Sequence, residues 1–346
     1  MIAERLALAE VSAQGAAMAD SNAPFAIRFS RTGGPEVLEA DTLDIAALGP
    51  GEVLVRHEAV GLNFIDTYFR SGLYPVELPG GLGNEAAGVV EAVGDGVTEF
   101  QPGERVGYFT GPVGAYATHR SVEATRLAKL PDGIASEQAA AAMLKGCTAE
   151  YLIERCAGVT AGQTVLVHAA AGGVGSIAVQ WLKATGANVI AHSGSPAKAL
   201  LAKELGADVS LDCPMEELAA RVREATNGDG VPVVLDGVGA ASWEASLASV
   251  ARRGLIVSYG NASGPVPPLT PLDLMRRGSI FITRPTLADY CPTPAKMRAS
   301  AARLFAMMLA GKVQIQIGAR FRLAEAADAH RALESRSTTG STVLIP

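Results

Sequence analysis

The chain has 346 residues, a formal net charge of −6 and a 49% hydrophobic content, too long for one compact core and suited to two domains. Its acidic balance, with no long Lys/Arg cluster, gives no electrostatic footprint for nucleic acid or an anionic bilayer. Four scattered cysteines (Cys147, Cys156, Cys213, Cys291) without a C-x-x-C support neither a disulfide framework nor a cysteine-rich zinc lobe, and suit a reducing cytoplasm. No apolar run approaches the ~20 residues that span a bilayer. Residues 1–22 are alanine-rich, and Glu4 and Arg5 interrupt the apolar stretch a secretion signal needs. A disordered extension is expected there, with Met18 a candidate start.

From Phe25 to about Lys129 the pattern is short β runs at 26–29, 52–60, 88–93 and 105–108. Turn signals such as Thr32-Gly33-Gly34-Pro35 and Gln101-Pro102-Gly103-Glu104 separate them. A small β-rich, barrel-like domain is predicted. An alanine-rich helical pattern over 136–154 bridges to residues 160–285, where strand and helix alternate as in a doubly wound parallel sheet. Strands are predicted from Val165, then at 188–191, 208–211, 232–235 and 255–258, with a sixth at 279–283. Beyond Pro285 the spacing predicts a helix over 294–310, a strand near 313–317, a helix near 323–333 and a last strand at 341–345. This tail is read as returning to the first domain. The expected fold class is therefore α/β, with a β-rich domain over 23–144, a dinucleotide-binding domain over 145–285, and a return over 286–346.

The most informative stretch is Val165-Leu166-Val167-His168-Ala169-Ala170-Ala171-Gly172-Gly173-Val174-Gly175-Ser176. A β-branched run enters a glycine turn and a helical pattern leaves it. In a βα unit Gly172 admits a pyrophosphate to the backbone, and Gly175 lets the helix lie tightly on its strand. The free N–H groups of the helix start, over Gly173, Val174 and Gly175, then face the phosphates. Ala170 stands where the usual fingerprint has its first glycine. The loop Tyr259-Gly260-Asn261 follows the fifth predicted strand, at the sheet edge where such folds bind ligands.

Four stretches together carry a family resemblance: 61–68 (GLNFIDTY), 70–74 (RSGLY), 83–88 (GNEAAG) and 168–175 (HAAAGGVG). They resemble the zinc-free quinone oxidoreductases, the zeta-crystallin-like branch of the medium-chain dehydrogenases and reductases. The similarity runs from about Phe25 to Pro346. It implies a GroES-like catalytic domain, a Rossmann domain, a cleft between them, NADPH as cofactor and a homodimer.

The residues refine that expectation. An acid that accepts the ribose 2′-OH usually sits about 20 residues after the glycine turn. Here the region reads Ile190-Ala191-His192-Ser193-Gly194-Ser195-Pro196-Ala197-Lys198, with hydroxyls and a lysine but no acid. Ser193 and Lys198 suit a 2′-phosphate through charge-assisted hydrogen bonds, which favours NADPH over NADH. The plainer reading makes Lys198 a solvated helix charge. Two departures from the family stand nearby. Cys213 falls where relatives carry a tyrosine, and His192 where a small hydroxyl residue is common. His192 either adds charge below its ordinary pKa of ~6.5 or points to solvent.

Zinc members of the superfamily place cysteine and histidine where this chain has Asn63-Phe64 and Asn84. Amides are poor zinc ligands, so no metal is expected. Without a Lewis acid the protein suits electron-poor acceptors that take a hydride readily, quinones first. Its task is then to orient the nicotinamide, exclude water and supply donors to a developing oxyanion. By resemblance Asn63 and Tyr68 lie at the nicotinamide and Tyr74 at the cleft mouth; the plainer reading has Asn63 capping a turn and both tyrosines packing. Lys145 falls where relatives have a cofactor-facing lysine. Arg284, Pro285 and Arg336 are carried over as cofactor neighbours. Asp66 and Glu85 are read as structural carboxylates.

The leading expectation is a cytoplasmic, zinc-independent NADPH:quinone reductase acting on a small molecule, with neither nucleic acid nor membrane as partner. A rival enzyme reading reduces the C=C bond of an enone or 2-alkenal with the same cofactor. A third reading, from another class, is a crystallin-like or RNA-binding protein that holds the cofactor with little turnover.

Overall fold

The computed structural model describes residues 23–346, so the extension expected over 1–22 lies outside the described residues. The chain divides into two units, residues 23–144 with Ile317–Pro346, and Lys145–Gln316.

The first unit is built on strands. They are β1 (Phe25–Phe29), β2 (Glu39–Thr42), β3 (Glu52–Leu62), β4 (Gly80–Gly81), β5 (Glu85–Val93), β6 (Arg105–Tyr108), β7 (His119–Glu123) and β8 (Ala128–Lys129). The second unit holds β9 (Thr164–Val167), β10 (Asn188–His192), β11 (Val209–Leu211), β12 (Val231–Asp236), β13 (Val250–Ser258) and β14 (Phe281–Thr283), and the chain returns to the first with β15 (Ile317–Arg322) and β16 (Ser341–Ile345).

In the first unit β3 is the hub. It pairs antiparallel with β5, β7 and β16, and the larger sheet runs β15-β16-β3-β5-β6-β8. Val53 and Val55, and beyond a register irregularity at 57–59 Val60 and Leu62, join Ala86, Val90, Val106, Phe29 and Leu344 in one buried cluster; the irregularity shifts which positions face it. A small sheet, β2-β1-β4, completes the unit.

The second unit is a six-stranded sheet of order β11-β10-β9-β12-β13-β14, parallel throughout. This is the doubly wound order in which the first strand lies beside the second and the fourth, leaving a ligand-binding crevice at the carboxyl ends of the two neighbours. Its core gathers Leu166, Ile190, Val234, Ile256 and Trp243. Buried on both faces, these strands read as continuous apolar runs.

Two expectations need correction. The strand expected near 313–317 begins only at Ile317 and runs to Arg322. Val313 instead closes the preceding helix, its N–H bonding Met307 O at 3.2 Å with its side chain buried. The second crossing between units falls at 316/317 rather than 285/286. The helix Pro294–Leu309 is tied to Rossmann-unit residues: Ser300 Oγ donates to Glu150 at 2.7 Å, and Leu304 packs on Gly146, where a Cβ would stand 2.4 Å from Leu304 Cδ1. Pro285 breaks a pattern without ending a domain.

Candidate active site

The glycine turn lies where β9 ends. Gly172, extended at φ −83°, caps the helix Gly173–Ala184, so the first N–H groups of that helix have no intrahelical acceptor. A Cβ on Gly175 would stand 2.2 Å from Ala169 O and 2.8 Å from Ala170 Cα, whereas one on Gly172 would meet nothing closer than 3.2 Å. Gly175 therefore seats the helix on the turn, and Gly172 leaves the backbone open. Ala170 is buried, its N–H bonding His192 O at 3.1 Å, which ties the turn to the end of β10.

At that end Ser193 is buried and its hydroxyl has no partner among the described residues. The same holds for Ser258 Oγ, closing β13, and for His168 Nδ1, just after β9. Three unsatisfied buried polar atoms thus stand at the carboxyl edge of the sheet, where the fold binds ligands. Buried polar groups are normally satisfied, so the pattern fits a polar ligand there. Lys198 is half-buried, in the first turn of the helix Pro196–Glu204 whose cap is Ser195. His192 is 5% exposed and donates through Nε2 to Cys213 O at 3.0 Å. It therefore does not point to solvent; it fixes the Cys213 loop. Burial pushes the Cys213 thiol up, away from thiolate chemistry.

Tyr259 N bonds Asp236 O at 2.8 Å and its ring lies over Gly237, while Gly260 packs so closely on Gly237 O that a Cβ would stand 2.4 Å away. Asn261 O accepts from Gly264 N at 2.9 Å, closing the loop. Arg284 donates to Ser258 O at 3.0 Å, Pro285 is buried, and Lys145 is 5% exposed in the helix Ser136–Glu150.

One functional group here escaped the sequence reading. Asp236, fully buried at the end of β12, accepts from Val238 N, Gly239 N, Ser242 Oγ and Ser246 Oγ at 2.6–3.2 Å. Burial opposes its charge, but the neighbouring His168 ring and these donors hold the carboxyl below its ordinary range. Because Ser246 gives its hydrogen to Asp236, the 2.9 Å contact with His168 Nε2 has the imidazole as donor. Burial keeps His168 neutral. Asp236 thus joins the glycine turn to the loop after β12. A charged residue ending a wholly apolar strand was the available signal.

Asn63, Tyr68, Tyr74 and Arg336 belong to the barrel unit. Asn63 caps the helix Phe64–Ser71 and is buried; its Nδ2 donates to Glu85 Oε1 at 2.7 Å and to Gly61 O at 3.5 Å. Its amide hydrogens are thus turned inward, toward Glu85 and Gly61. Tyr68 is 8% exposed and meets Tyr74 edge-on at 5.2 Å, with Tyr74 N bonding Tyr68 O. Arg336 is exposed, at φ +58°, just beyond the helix Ala326–Glu334. At the positions where zinc relatives bind metal, Asn84 Nδ2 donates to Asp66 Oδ1 at 3.0 Å and Asn63 to Glu85. Among the described residues no group of three or more His, Cys, Asp or Glu side chains could hold a metal ion. No helix among them is long and apolar enough to cross a membrane.

Comparison with known proteins decides the family. Residues 49–132 match the alcohol dehydrogenase GroES-like domain and residues 173–293 the zinc-binding dehydrogenase family. A quinone oxidoreductase of Pseudomonas aeruginosa is 53% identical over 321 residues, covering 92% of this chain and 99% of that protein. The chain belongs to the quinone oxidoreductase family. Within this family, the structure of Escherichia coli quinone oxidoreductase complexed with NADPH superposes with a TM-score of 0.91 at 43% identity, covering 93% of this chain and all of that one. A 2-haloacrylate reductase of Burkholderia is 40% identical over 323 residues, covering 91% of this chain and 97% of that protein. The family's GroES-like and Rossmann architecture is the one found here.

Proposed function

We propose that this quinone oxidoreductase oxidises NADPH and reduces a quinone without a metal ion. The observation that carries the cofactor assignment is the carboxyl edge of the Rossmann sheet. There a glycine helix start, unsatisfied Ser193 and Ser258 hydroxyls and a turn without a ribose-binding acid meet, and a relative of the same fold is complexed with NADPH. Gly172 to Gly175 hold the pyrophosphate, Ser193 and Lys198 the 2′-phosphate, and Lys145 the ribose side. Tyr259 to Asn261 hold the nicotinamide amide, with Arg284, Pro285 and Arg336 as further neighbours. Bound there, the reduced nicotinamide supplies a hydride to the acceptor. Tyr68 donates its hydroxyl hydrogen bond to the acceptor oxygen as charge develops on it, Tyr74 shields the site from water, and Asn63 holds the start of the Tyr68 helix. Loss of NADPH absorbance on adding 1,4-benzoquinone to the purified protein is the direct test. Tight NADPH binding with no acceptor-dependent oxidation would instead favour a binding protein.

A second reading rests on the 2-haloacrylate reductase relative: the bound cofactor would supply its hydride to the β-carbon of an activated alkene, with Tyr68 or water giving the proton to the α-carbon. Quinone and 2-alkenal panels run side by side separate the two, by which acceptor gives the larger kcat/KM.

Lys198→Ala is expected to weaken NADPH about tenfold or more while leaving NADH nearly unchanged, since one charge-assisted contact contributes about 1.5–3 kcal/mol. Calorimetry with both nucleotides decides this; equal losses refute the phosphate contact. Tyr68→Phe is expected to lower kcat/KM for quinone about a hundredfold with NADPH affinity intact, the scale of one lost oxyanion donor. Steady-state turnover at full rate would remove Tyr68 from the mechanism.

The remaining assignments are a cytoplasmic homodimer with neither nucleic acid nor membrane as partner. Support for the dimer comes from the edge strand β14, where Phe281 is 58% exposed, and from Leu272 and Met275 on the helix before it, at 55% and 58%. A sedimentation mass of one protomer would overturn it.

A further inference from the structure

We infer that Asp66, acting through a buried chain with Tyr116, His330 and Arg70, is a positioning residue for acceptor reduction: it fixes the helix that presents Tyr68. The inference rests on the functional reading above, because it concerns how the proposed donor is aimed.

The helix Phe64–Ser71 has Asp66 and Arg70 four residues apart, on one face, and both are buried, at 0% and 2% exposure. Tyr68 lies two residues from each, about 200° around the axis, so it occupies the opposite side. The anchored face is held from several directions. Asp66 Oδ2 accepts from Asn63 N at 2.9 Å and from Tyr116 Oη at 3.0 Å, and Oδ1 accepts from Asn84 Nδ2 at 3.0 Å. Arg70 donates to Gly33 O at 3.1 Å, and through both terminal nitrogens to Glu334 at 2.6 and 3.1 Å. Between the two anchors His330 closes the loop, 2.9 Å from Arg70 through Nδ1 and 3.0 Å from Tyr116 Oη through Nε2.

The direction of every hydrogen follows from the donors. Arg70 has only hydrogens to give, so His330 Nδ1 accepts. The neutral ring then carries its hydrogen on Nε2 and gives it to Tyr116, which passes its own to Asp66. Burial and the Arg70 charge push His330 down to about 3, and burial beside Asp66 holds Tyr116 well above its ordinary range. Neither His330 nor Tyr116 therefore changes protonation at working pH. Since a guanidinium does not release a proton in proteins, the chain is not a proton path from Glu334 to the site. What remains is geometry: two anchor points four residues apart fix both the rotation and the tilt of a short helix. Apolar packing would stabilise the same helix as well or better without desolvating two charges. A saturated buried network at this place is better explained by the precision it gives Tyr68 than by the stability it adds.

Tyr116→Phe deletes one hydroxyl and leaves volume nearly unchanged. It is expected to lower kcat/KM for 1,4-benzoquinone about tenfold while the NADPH Kd from calorimetry stays within about twofold. The deuterium isotope effect with nicotinamide-4-deuterated NADPH should rise as hydride transfer slows. His330→Gln, which keeps one acceptor and one donor, should stay within about threefold of wild type, and His330→Leu should match or exceed the Tyr116→Phe loss. A purely structural role would lower the melting temperature and leave the isotope effect and the KM-against-kcat split of the folded fraction unchanged. Folded Tyr116→Phe with wild-type turnover and isotope effect overturns the inference, and this decides the matter even if His330→Leu does not fold. Wild-type protein that never oxidises NADPH with quinone would overturn the functional reading and this inference together. Active wild type with unaffected variants overturns this inference alone.

Discussion

Gly175→Ala will lose NADPH binding and about 3 kcal/mol of stability, whereas Gly172→Ala will weaken binding about tenfold with a much smaller loss of stability. The new methyl at 175 would stand 2.2 Å from Ala169 O and 2.9 Å from its carbonyl carbon, and both are backbone atoms that cannot swing aside. The helix Gly173–Ala184 must then lift off the turn, which misdirects its N–H groups and opens the apolar contact beneath Ile177 and Val179, both buried. Overpacking in a tight site costs about 1–3 kcal/mol, and an overlap with main chain belongs at the upper end. At 172 the nearest atom, Ala169 O, would be 3.2 Å away, a tight contact relieved by a shift of a few tenths of an ångström and far milder than the overlap at 175. A pyrophosphate resting on that backbone would be pushed outward, and NADPH affinity should fall about tenfold, or ~1.4 kcal/mol. Thermal unfolding and calorimetry on the two variants provide four readings. Undiminished NADPH affinity in Gly172→Ala would mean that the phosphates do not approach the turn from that side.

The second large effect is acid sensitivity. His57 is buried at 3% exposure, with Nδ1 donating to Ala117 O at 2.7 Å and Nε2 accepting from Tyr108 Oη at 3.0 Å. Burial pushes it down to about 4, and burial with the Arg70 charge pushes His330 down to about 3. Both are folded as neutral rings but take up a proton near pH 6.5 when unfolded. The unfolded chain therefore binds more protons between pH 6.5 and about 3–4, and stability falls with falling pH throughout that window. Above pH 6.5 neither ring contributes a slope. Each contributes on the order of 3 kcal/mol of loss by the acid end. Carboxylates held low, such as Asp236, begin to act only below about pH 4, so the upper part of the window belongs to the histidines. Denaturant midpoints should fall steadily from pH 6.5 to pH 4, and His57→Gln should flatten part of the slope. A midpoint constant over that range would show that both rings gain protons without unfolding.

How much of this was legible in the sequence depends on range. The Rossmann sheet was readable because β9, β10, β12 and β13 are apolar runs set between helical spacers, and the glycine turn declares its own geometry. The barrel was harder. β2 reads Glu-Ala-Asp-Thr and β7 His-Arg-Ser-Val-Glu, with hardly an apolar face between them, and each is a strand only because β1 or β3 supplies its partner. β15 alternates half-buried and exposed positions with arginines on the outer ones, which hid it behind Val313. At the site, local spacing placed Gly172 and Gly175, while Asp66 could only be read as structural. Its partner Tyr116 lies 50 residues further along, and His330, which bonds Tyr116 in turn, lies 214 beyond that; no periodicity links positions so far apart. The inward turn of the Asn63 amide was hidden for the same reason, since Glu85 lies 22 residues away.

The discontinuity of the barrel unit bears on how the protein is made. β16, near the end of the chain, lies inside its sheet between β15 and β3, and His330 and Glu334 complete the hydrogen bonds of a helix that begins at Phe64. On the ribosome, residues 23–144 emerge early yet stay without β16 until the whole Rossmann unit has been made. The Rossmann unit, one continuous segment, has all its strands in hand well before then. Nascent-chain proteolysis should accordingly find the nucleotide-binding half protected first, and the earlier-made half only once β16 has emerged.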